Sequence, residues 1–355
     1  MTTVAIVGAG LMGTATAYPL SDNGHNVRLV GTHLDRDIIT SCRSRRIHPR
    51  LNRQLPASVR PFFVEEIGEA LEGVDVIVSG VNSLGAHWIG DAIGPHVRPG
   101  QMIIAITKGL EATPSGDLII LPDVLRNTLP ENVRDRVAIA AVGGPCIAGE
   151  LAGRRPSCVT FGCRDFDAAC KLAAIFHTTY YHIFPTADLV GIEYCAALKN
   201  AYTLAVGMAQ GILEKAGGVD ETGAHMFNLA AATFGQACTE IEQLLNLVGG
   251  SRQFAAGLPG AGDLYVTSMG GRTVRLGRLL GLGHSIDEAL QIMAGETLES
   301  VYVIRQLGQA LPGLTRQGLL APGALPLMEA LIDIIVAEQP AKIPLDAFFG
   351  GAWLT

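Results

Sequence analysis

Two lysines lie in sequence surroundings where a charged side chain is costly, which makes them the first candidates for chemistry. Lys108 follows the apolar run 104–107, just past the carboxyl end of a predicted buried strand, at the edge where open α/β sheets bind ligands. Lys199 lies in a segment so rich in Ala, Leu and Gly that we expect burial on most faces. Burial lowers a lysine pKa, so such a side chain could exchange a proton with a carbonyl or alcohol oxygen. The alternative is a lysine whose aliphatic stem carries its ammonium to the surface.

A glycine-rich stretch, 257–262, leads directly to the carboxylate of Asp263, and Thr267 and Arg272 follow. The pattern is consistent with an anion pocket, because Arg272 offers a planar fork to a phosphate and Asp263 could orient and neutralise a lysine. The alternative is that Asp263 only caps a helix.

A second glycine motif stands at the start of the chain, between a predicted strand, Val4–Val7, and a predicted helix, Thr14–Ser21. In this context the first glycine permits a tight turn, the second admits a pyrophosphate, and the third allows close packing of helix on sheet. We therefore predict a dinucleotide-binding Rossmann unit whose cofactor contacts are Gly8, Ala9, Gly10, Leu11, Met12 and Gly13.

The second predicted strand ends without the carboxylate that usually holds the ribose hydroxyls of NAD. Thr32 and His33 stand there instead, the first carboxylate is Asp35, and Arg46 ends a nearby basic run. A 2′-phosphate would meet less repulsion at such a site, so Thr32, His33 and Arg46 are predicted cofactor contacts, with a lean to NADP over NAD. Equally, the arginines could be a solvated surface run in a protein that uses either cofactor.

Two sequence patterns along the chain predict the secondary-structure elements that position these residues. Short apolar, β-branched runs alternate with helical segments, which predicts a parallel sheet covered on both faces. The runs are 4–7, 27–30, 74–81, 102–107 and 137–142, with 156–162 and 180–184 as extensions. Beyond Thr186, apolar residues recur at helical spacing over 188–215, 220–248, 285–311 and 325–338, with 257–262 as a loop. The predicted fold class is α/β: a doubly wound Rossmann-type domain, residues 1–186, followed by an all-helical domain, residues 187–355.

Composition narrows the classes of partner. A chain of 355 residues with a net charge of −7 does not present the basic face that nucleic acid requires. Its seven cysteines show no zinc-ligand spacing, so we predict no metal site and a reducing, cytoplasmic location. No secretory leader or membrane span is expected from the sequence. The Ala- and Leu-rich second domain leaves a homodimer open.

In combination, these motifs resemble the NAD(P)-dependent glycerol-3-phosphate dehydrogenases, archaeal-type members above all, over nearly the whole chain. The resemblance rests on the segments 8–13, 106–109, 143–145 with 148–152, 197–200, 262–264 and 270–272.

The resemblance implies a Rossmann domain and a helical domain with the site in the cleft between them. It also implies hydride transfer between a nicotinamide and C2 of a small phosphorylated substrate. By motif, Lys199 is the implied acid or base, Lys108 a supporting lysine that also contacts the cofactor, and Asp263 the partner of Lys199. The implied substrate contacts are Asn200, Thr267, Arg272 and Thr273, and the further cofactor contacts are Ala148, Arg272 and Glu299.

Two departures from the family pattern leave the substrate open. Thr273 follows the phosphate-binding arginine where the family has asparagine, and Cys146 follows Gly-Pro where the family has serine. A hydroxyl in place of an amide removes a donor, so a longer phosphorylated polyol or its ketose is an alternative substrate. A ketopantoate- or opine-type dehydrogenase and a catalytically silent dinucleotide-binding regulator also stay open as functions.

Overall fold

The structure is a computed structural model that describes residues 1–219, 221–222 and 227–354. The chain divides into two compact units, each with its own interior. The first comprises Met1–Lys108 and Ile120–Glu193, and the second comprises Gly109–Ile119 and Tyr194–Thr355. No helix in the described ranges has the length and apolar character needed to cross a membrane.

Eight strands of the first unit form one sheet, in the order β12-β11-β10-β7-β6-β1-β2-β5. All pairs from β10 to β5 are parallel, whereas β11 runs antiparallel to β10 and parallel to β12. The strands are β1 (Thr3–Val7), β2 (Asn26–Val30), β3 (Ile47–His48), β4 (Arg53–Gln54), β5 (Val59–Phe62), β6 (Val76–Ser79), β7 (Met102–Ala105), β8 (Leu110–Ala112), β9 (Leu118–Ile120), β10 (Ala138–Gly143), β11 (Ser157–Cys163) and β12 (Tyr181–Thr186).

The sheet is buried on both faces, as its uninterrupted apolar runs predict. Along β1, Val4 and Ile6 join one apolar cluster, while Ala5 and Val7 join another, because successive side chains of a strand point to opposite faces. The helices up to the end of this unit are α1 (Leu11–Asp22), α2 (Arg36–Arg45), α3 (Ile67–Leu71), α4 (Ala86–Ile93), α5 (Leu121–Thr128), α6 (Glu131–Arg134), α7 (Ala148–Ala152), α8 (Phe166–Phe176) and the start of α9 (Leu189–Lys215).

Where it is described, the second unit contains helices and one two-stranded sheet, β8-β9. This sheet packs on α15, where the Gln306 side chain accepts a hydrogen bond from the Ala112 amide at 2.7 Å. The helices after α9 are α10 (Phe227–Leu247), α11 (Gln253–Ala256), α12 (Asp263–Ser268), α13 (Arg272–Leu282), α14 (Ile286–Ile292), α15 (Glu299–Arg316) and α16 (Pro326–Ile335). The predicted fold class, a Rossmann-type sheet domain followed by a helical domain, is confirmed.

Several boundaries differ from those predicted. The units divide after Glu193 rather than at Thr186, and residues 109–119 belong to the second unit. The helix predicted over 285–311 is two helices, α14 and α15, separated by a turn in which Gly295 has φ +87°. The predicted loop 257–262 contains one π-helical turn, Leu258–Gly262. The helix predicted over 220–248 is described from Phe227, and residues 220 and 223–226 lie outside the described residues.

Candidate active site

The glycine turn after β1 is built so tightly that only glycine fits at two of its positions. Gly8 has φ +116°, and a Cβ there would lie 2.5 Å from the carbonyl carbon of Gly80. A Cβ on Gly13 would lie 2.2 Å from the Gly8 carbonyl oxygen, so α1 packs directly on the turn. Gly10 precedes α1 in extended conformation and caps it with no side chain. The first amides of α1 are thus left for an anion, and the turn fits a dinucleotide pyrophosphate.

Two buried side chains hold this turn in place from behind. The Asp35 carboxylate accepts hydrogen bonds from the Ala9 amide at 3.1 Å, the Thr32 amide at 2.9 Å and the Thr32 hydroxyl at 2.8 Å. His48 is buried, and its Nδ1 accepts from the Leu51 amide at 3.0 Å. Its Nε2 therefore carries the proton and donates to the Ala9 carbonyl at 2.9 Å. Burial lowers the pKa of His48, which favours this neutral form.

A buried ion pair forms the centre of the candidate site in the second unit. The Lys199 ammonium, on α9, donates to the Asp263 carboxylate at 2.7 Å and to the Thr267 hydroxyl at 2.9 Å. The side chains of Lys199 and Asp263 are only 9% and 2% exposed. Thr267 lies one turn after Asp263 on α12 and donates its own proton to the Asp263 carbonyl at 2.6 Å. The Thr267 hydroxyl oxygen is therefore the acceptor in its hydrogen bond with Lys199. Together, the Asp263 carboxylate and this hydroxyl fix the direction of the ammonium.

Glycines bring α9 and α13 into backbone contact. A Cβ on Gly277 would lie 2.1 Å from the Leu204 carbonyl oxygen of α9. A Cβ on Gly281 would lie 2.2 Å from the carbonyl oxygen of Met208, one turn further along α9. These pairs advance together along both helices, so the helices run in the same direction at the crossing.

Family models match both parts of the chain. The model described as "NAD-dependent glycerol-3-phosphate dehydrogenase N-terminus" matches residues 3–169, and the corresponding C-terminus model matches residues 188–345. An NADP(+)-dependent glycerol-3-phosphate dehydrogenase of Archaeoglobus fulgidus is 37% identical over 81% of this chain and 82% of its own length. The chain belongs to the NAD-dependent glycerol-3-phosphate dehydrogenase family.

Further members of the family agree over the full length. A glycerol-3-phosphate dehydrogenase [NAD(P)+] of Bacillus cereus is 30% identical over 99% of this chain and 96% of its own length. The solved structure of the glycerol-3-phosphate dehydrogenase of Coxiella burnetii superimposes with a TM-score of 0.79 at 25% identity, covering 99% of this chain and 98% of that one. The predicted resemblance is confirmed, and this family member is an NAD(P)-dependent oxidoreductase.

The structure brings some of the predicted site residues of the second unit together and leaves others apart. In this glycerol-3-phosphate dehydrogenase family member, Lys199, Asp263 and Thr267 form one hydrogen-bonded group. Asn200 donates to Glu299, at the start of α15, over 3.4 Å.

The remaining predicted contacts lie near the surface of their own unit. Arg272 is exposed and has no ion pair within the described part of the chain, and Thr273 is half-buried beside it. In the first unit, Lys108 is half-buried after β7, and Ala148 is the half-buried first residue of α7.

The residues around the end of β2 are not all where the sequence suggested. Thr32 and His33 line a cavity of about 250 Å³ together with Arg36. Arg46, in contrast, donates to the carbonyls of Val59 at 2.7 Å and Pro56 at 2.5 Å. Its guanidinium therefore holds the segment 56–59 in place and does not line the cavity. The cation at this cavity is Arg36, which the sequence did not single out.

Glu193 is a further candidate residue that was not predicted from the sequence. It lies fully buried on the first turns of α9, and neither carboxyl oxygen has a hydrogen-bond partner among the described residues. Burial raises its pKa well above the usual range, an effect that Lys108 opposes and Asp123 reinforces. The sequence feature that could have identified Glu193 is a glutamate within an apolar helical segment, because charged residues are seldom fully buried and such a position is unusual.

Proposed function

We propose that this chain catalyses reversible, NAD(P)-dependent hydride transfer between the nicotinamide and C2 of dihydroxyacetone phosphate and glycerol 3-phosphate. The observation that carries the proposal is the buried Lys199, held by Asp263 and Thr267, in a member of this family. When bound, the nicotinamide supplies or accepts the hydride, and the residues of this chain must then manage one proton and bind one phosphate.

Lys199 manages the proton. In reduction its ammonium gives a proton to the C2 oxygen as C2 gains the hydride, so that the carbonyl becomes an alcohol. In oxidation the neutral amine takes that proton back. Asp263 favours the ammonium before transfer, and Thr267 holds its direction, so both act through Lys199. Positioning an acid within hydrogen-bond reach of the oxygen is worth about 10²- to 10⁴-fold in rate.

The substrate phosphate requires cations, because the chain as a whole carries a net charge of −7. Exposed Arg272 begins α13, where helix amides and a guanidinium can both meet an anion. Thr273 follows Arg272 in the first turn of α13, and Asn200 follows Lys199 on α9. We assign the phosphate to Asn200, Arg272 and Thr273. We also assign Lys108 to the substrate, and Ala148, Arg272 and Glu299 to the cofactor.

Thr273 also favours a second candidate substrate. The family has asparagine after this arginine, and the shorter threonine leaves more room and one donor fewer. A four- or five-carbon phosphorylated polyol is therefore the alternative to glycerol 3-phosphate, with the same chemistry at the carbonyl.

The proposal is tested by following NADPH and NADH oxidation with dihydroxyacetone phosphate and with four- and five-carbon ketose phosphates. Lys199→Met is expected to lower kcat by about 10²- to 10⁴-fold while NADPH binding is retained. The matched control is Lys215→Met, which removes an exposed lysine from the other end of α9 and should keep wild-type kcat.

Each outcome has a distinct meaning. Activity of the wild type on none of the ketones contradicts the proposal, and a preference for the longer ones favours the second candidate. If Lys199→Met keeps wild-type kcat, Lys199 is not the acid. Circular dichroism of both variants separates loss of chemistry from loss of fold, because Asp263 loses its buried partner in Lys199→Met.

The cytoplasmic location is also proposed here. None of the seven cysteines, all of which lie within the described residues, is in a disulfide, and this number of reduced thiols is typical of a reducing compartment. The homodimer stays a prediction.

A further inference from the structure

Two arginines of α2 lie over one aromatic ring at the edge of the first unit. Arg36 and Arg43 have their guanidinium carbons 5.2 Å and 4.4 Å from the centre of the Phe63 ring. Each also forms an ion pair with one of two successive glutamates, Arg36 with Glu65 and Arg43 with Glu66. The two pairs are matched in chemistry and differ in how firmly they are anchored.

The Arg43–Glu66 pair is part of the framework. The Glu66 carboxylate also accepts from the Phe63 amide at 2.7 Å, and Arg43 donates from Nε to the Pro61 carbonyl at 3.1 Å. Its side chains are 36% and 35% exposed. The hydrogen bond from the Phe63 amide holds the pKa of Glu66 below its usual range, and Arg43 contributes in the same direction. This pair is fixed from both ends.

The Arg36–Glu65 pair has no such anchoring. Its side chains are 62% and 58% exposed, and across the described ranges their mutual contact is the one hydrogen bond that either side chain makes. Exposed ion pairs of this kind are weak and are screened by salt. Arg36 can therefore exchange Glu65 for another anion at little cost.

The Arg36–Glu65 pair lies on the cavity of about 250 Å³ that Thr32, His33 and Phe63 also line. The cavity opens where β2 ends, which is where the adenosine ribose of a dinucleotide lies in this kind of sheet.

Of the carboxylates near this cavity, Asp35 is already engaged elsewhere. Its Oδ2 accepts three hydrogen bonds from the glycine turn and Thr32, and Asp35 is not among the residues that line the cavity. Among the residues that line the cavity, Glu65 is the one carboxylate.

We propose that Arg36 binds the adenosine 2′-phosphate of NADP and that Glu65 competes with this phosphate for Arg36, so that the Arg36–Glu65 pair sets the cofactor preference. The inference rests on the proposed function only in that the chain binds a dinucleotide. A phosphate dianion binds a guanidinium fork more strongly than a single carboxylate does. NADP therefore displaces Glu65, whereas NAD leaves the pair closed and gains nothing from Arg36.

The test measures NADPH and NADH binding by fluorescence titration in the absence of substrate, at low and high salt. Wild type is expected to bind NADPH more tightly than NADH. Arg36→Ala should weaken NADPH binding about 10- to 100-fold, since hydrogen bonds to charged groups are strong, and should leave NADH within about twofold. Arg43→Ala, the matched control over the same ring, should keep the wild-type ratio.

Glu65→Gln supplies a change of the opposite sign. Without its competitor, Arg36 is expected to bind NADPH several-fold more tightly than in wild type, with NADH unchanged, and Glu66→Gln should not reproduce this gain. Equal effects of Arg36→Ala and Arg43→Ala on NADPH, or no gain in Glu65→Gln, would overturn the inference while leaving the proposed function intact. A wild type that binds neither dinucleotide would overturn both.

Discussion

The Lys199 Nζ and the Asp263 Oδ1 lie 2.7 Å apart in the interior of the second unit, where each charge is compensated by the other. Removing one partner of a buried pair leaves an uncompensated charge, which costs about 3–5 kcal/mol. The same burial that makes the pair costly keeps competing water from the ammonium. The ammonium also has a fixed direction, because Thr267 accepts a second hydrogen bond from it.

Glu193 is also fully buried, with no hydrogen-bond partner for its carboxyl oxygens among the described residues. Because burial raises its pKa in the folded state, the folded chain keeps a proton that the unfolded chain releases above pH of about 4.3. The free energy of unfolding therefore falls as pH rises from there through the raised pKa, by about 1.36 kcal/mol for each pKa unit of the shift.

Glu193→Gln should remove this loss, because glutamine has no proton to release. Relative to wild type, its thermal midpoint, followed by circular dichroism, is expected to rise progressively as the pH increases above about 4.3. Glu150→Gln, which changes an exposed glutamate of α7, should track the wild type throughout. Parallel curves for Glu193→Gln and wild type would contradict the assignment.

Motif and chemistry were sufficient to predict that Asp263 is the partner of Lys199, because both residues fall in segments of recognisable spacing. Thr267 was predicted as a substrate contact and not as an acceptor for Lys199. Asp35 and Glu193 could not be predicted in the same way. The direction of the Asp35 side chain depends on where the glycine turn lies, and the unpaired state of Glu193 depends on packing from several distant segments. Arg36 was not predicted from the sequence, because other arginines follow it closely. Only the structure distinguishes the arginines that bind backbone carbonyls from the one that lines the cavity.

At the scale of elements, the crossing of α9 and α13 positions the proposed phosphate site. Gly207 and Gly211 of α9 face α13, and Gly277 and Gly281 of α13 face α9, with added Cβ atoms 2.1–2.5 Å from the backbone of the partner helix. Such spacing brings the two helix axes unusually close. The sequence predicted α9 but not this crossing, since glycine lowers confidence in a helix and gives no direction for its contact.

Gly277→Ala is expected to destabilise the protein by about 1–3 kcal/mol, because its Cβ would lie 2.1 Å from a backbone oxygen and α13 must move. The shift should also raise KM for the phosphorylated substrate more than it lowers kcat, since Arg272 and Thr273 begin the same helix. Gly235→Ala in α10 is the control: its Cβ would meet one atom at 4.0 Å, so stability should hold or rise. Chemical denaturation and substrate titration check both variants, and equal stability losses would argue against backbone contact.

At the scale of the molecule, the alternation of strands and helices was sufficient to predict the central sheet and the helical second unit. It was not sufficient to predict that β11 runs antiparallel, since a buried strand has the same composition in either direction. Nor did it assign residues 109–119 to the second unit, because that depends on the packing of β8 on α15. Both errors concern long-range pairing, which local patterns do not encode.

The division into two units, each with part of the proposed machinery, predicts which amides each ligand protects from hydrogen exchange. NADPH alone should slow exchange in the glycine turn, residues 8–13, and around residues 31–36. At about 100 times its Kd it stabilises these contacts by about 2.7 kcal/mol, which corresponds to about 100-fold slower exchange. Glycerol 3-phosphate alone should instead protect residues 263–273, and glycerol, which lacks the phosphate, should protect neither segment. Protection of 263–273 by glycerol and glycerol 3-phosphate alike would contradict the assignment of the phosphate to Arg272 and Thr273.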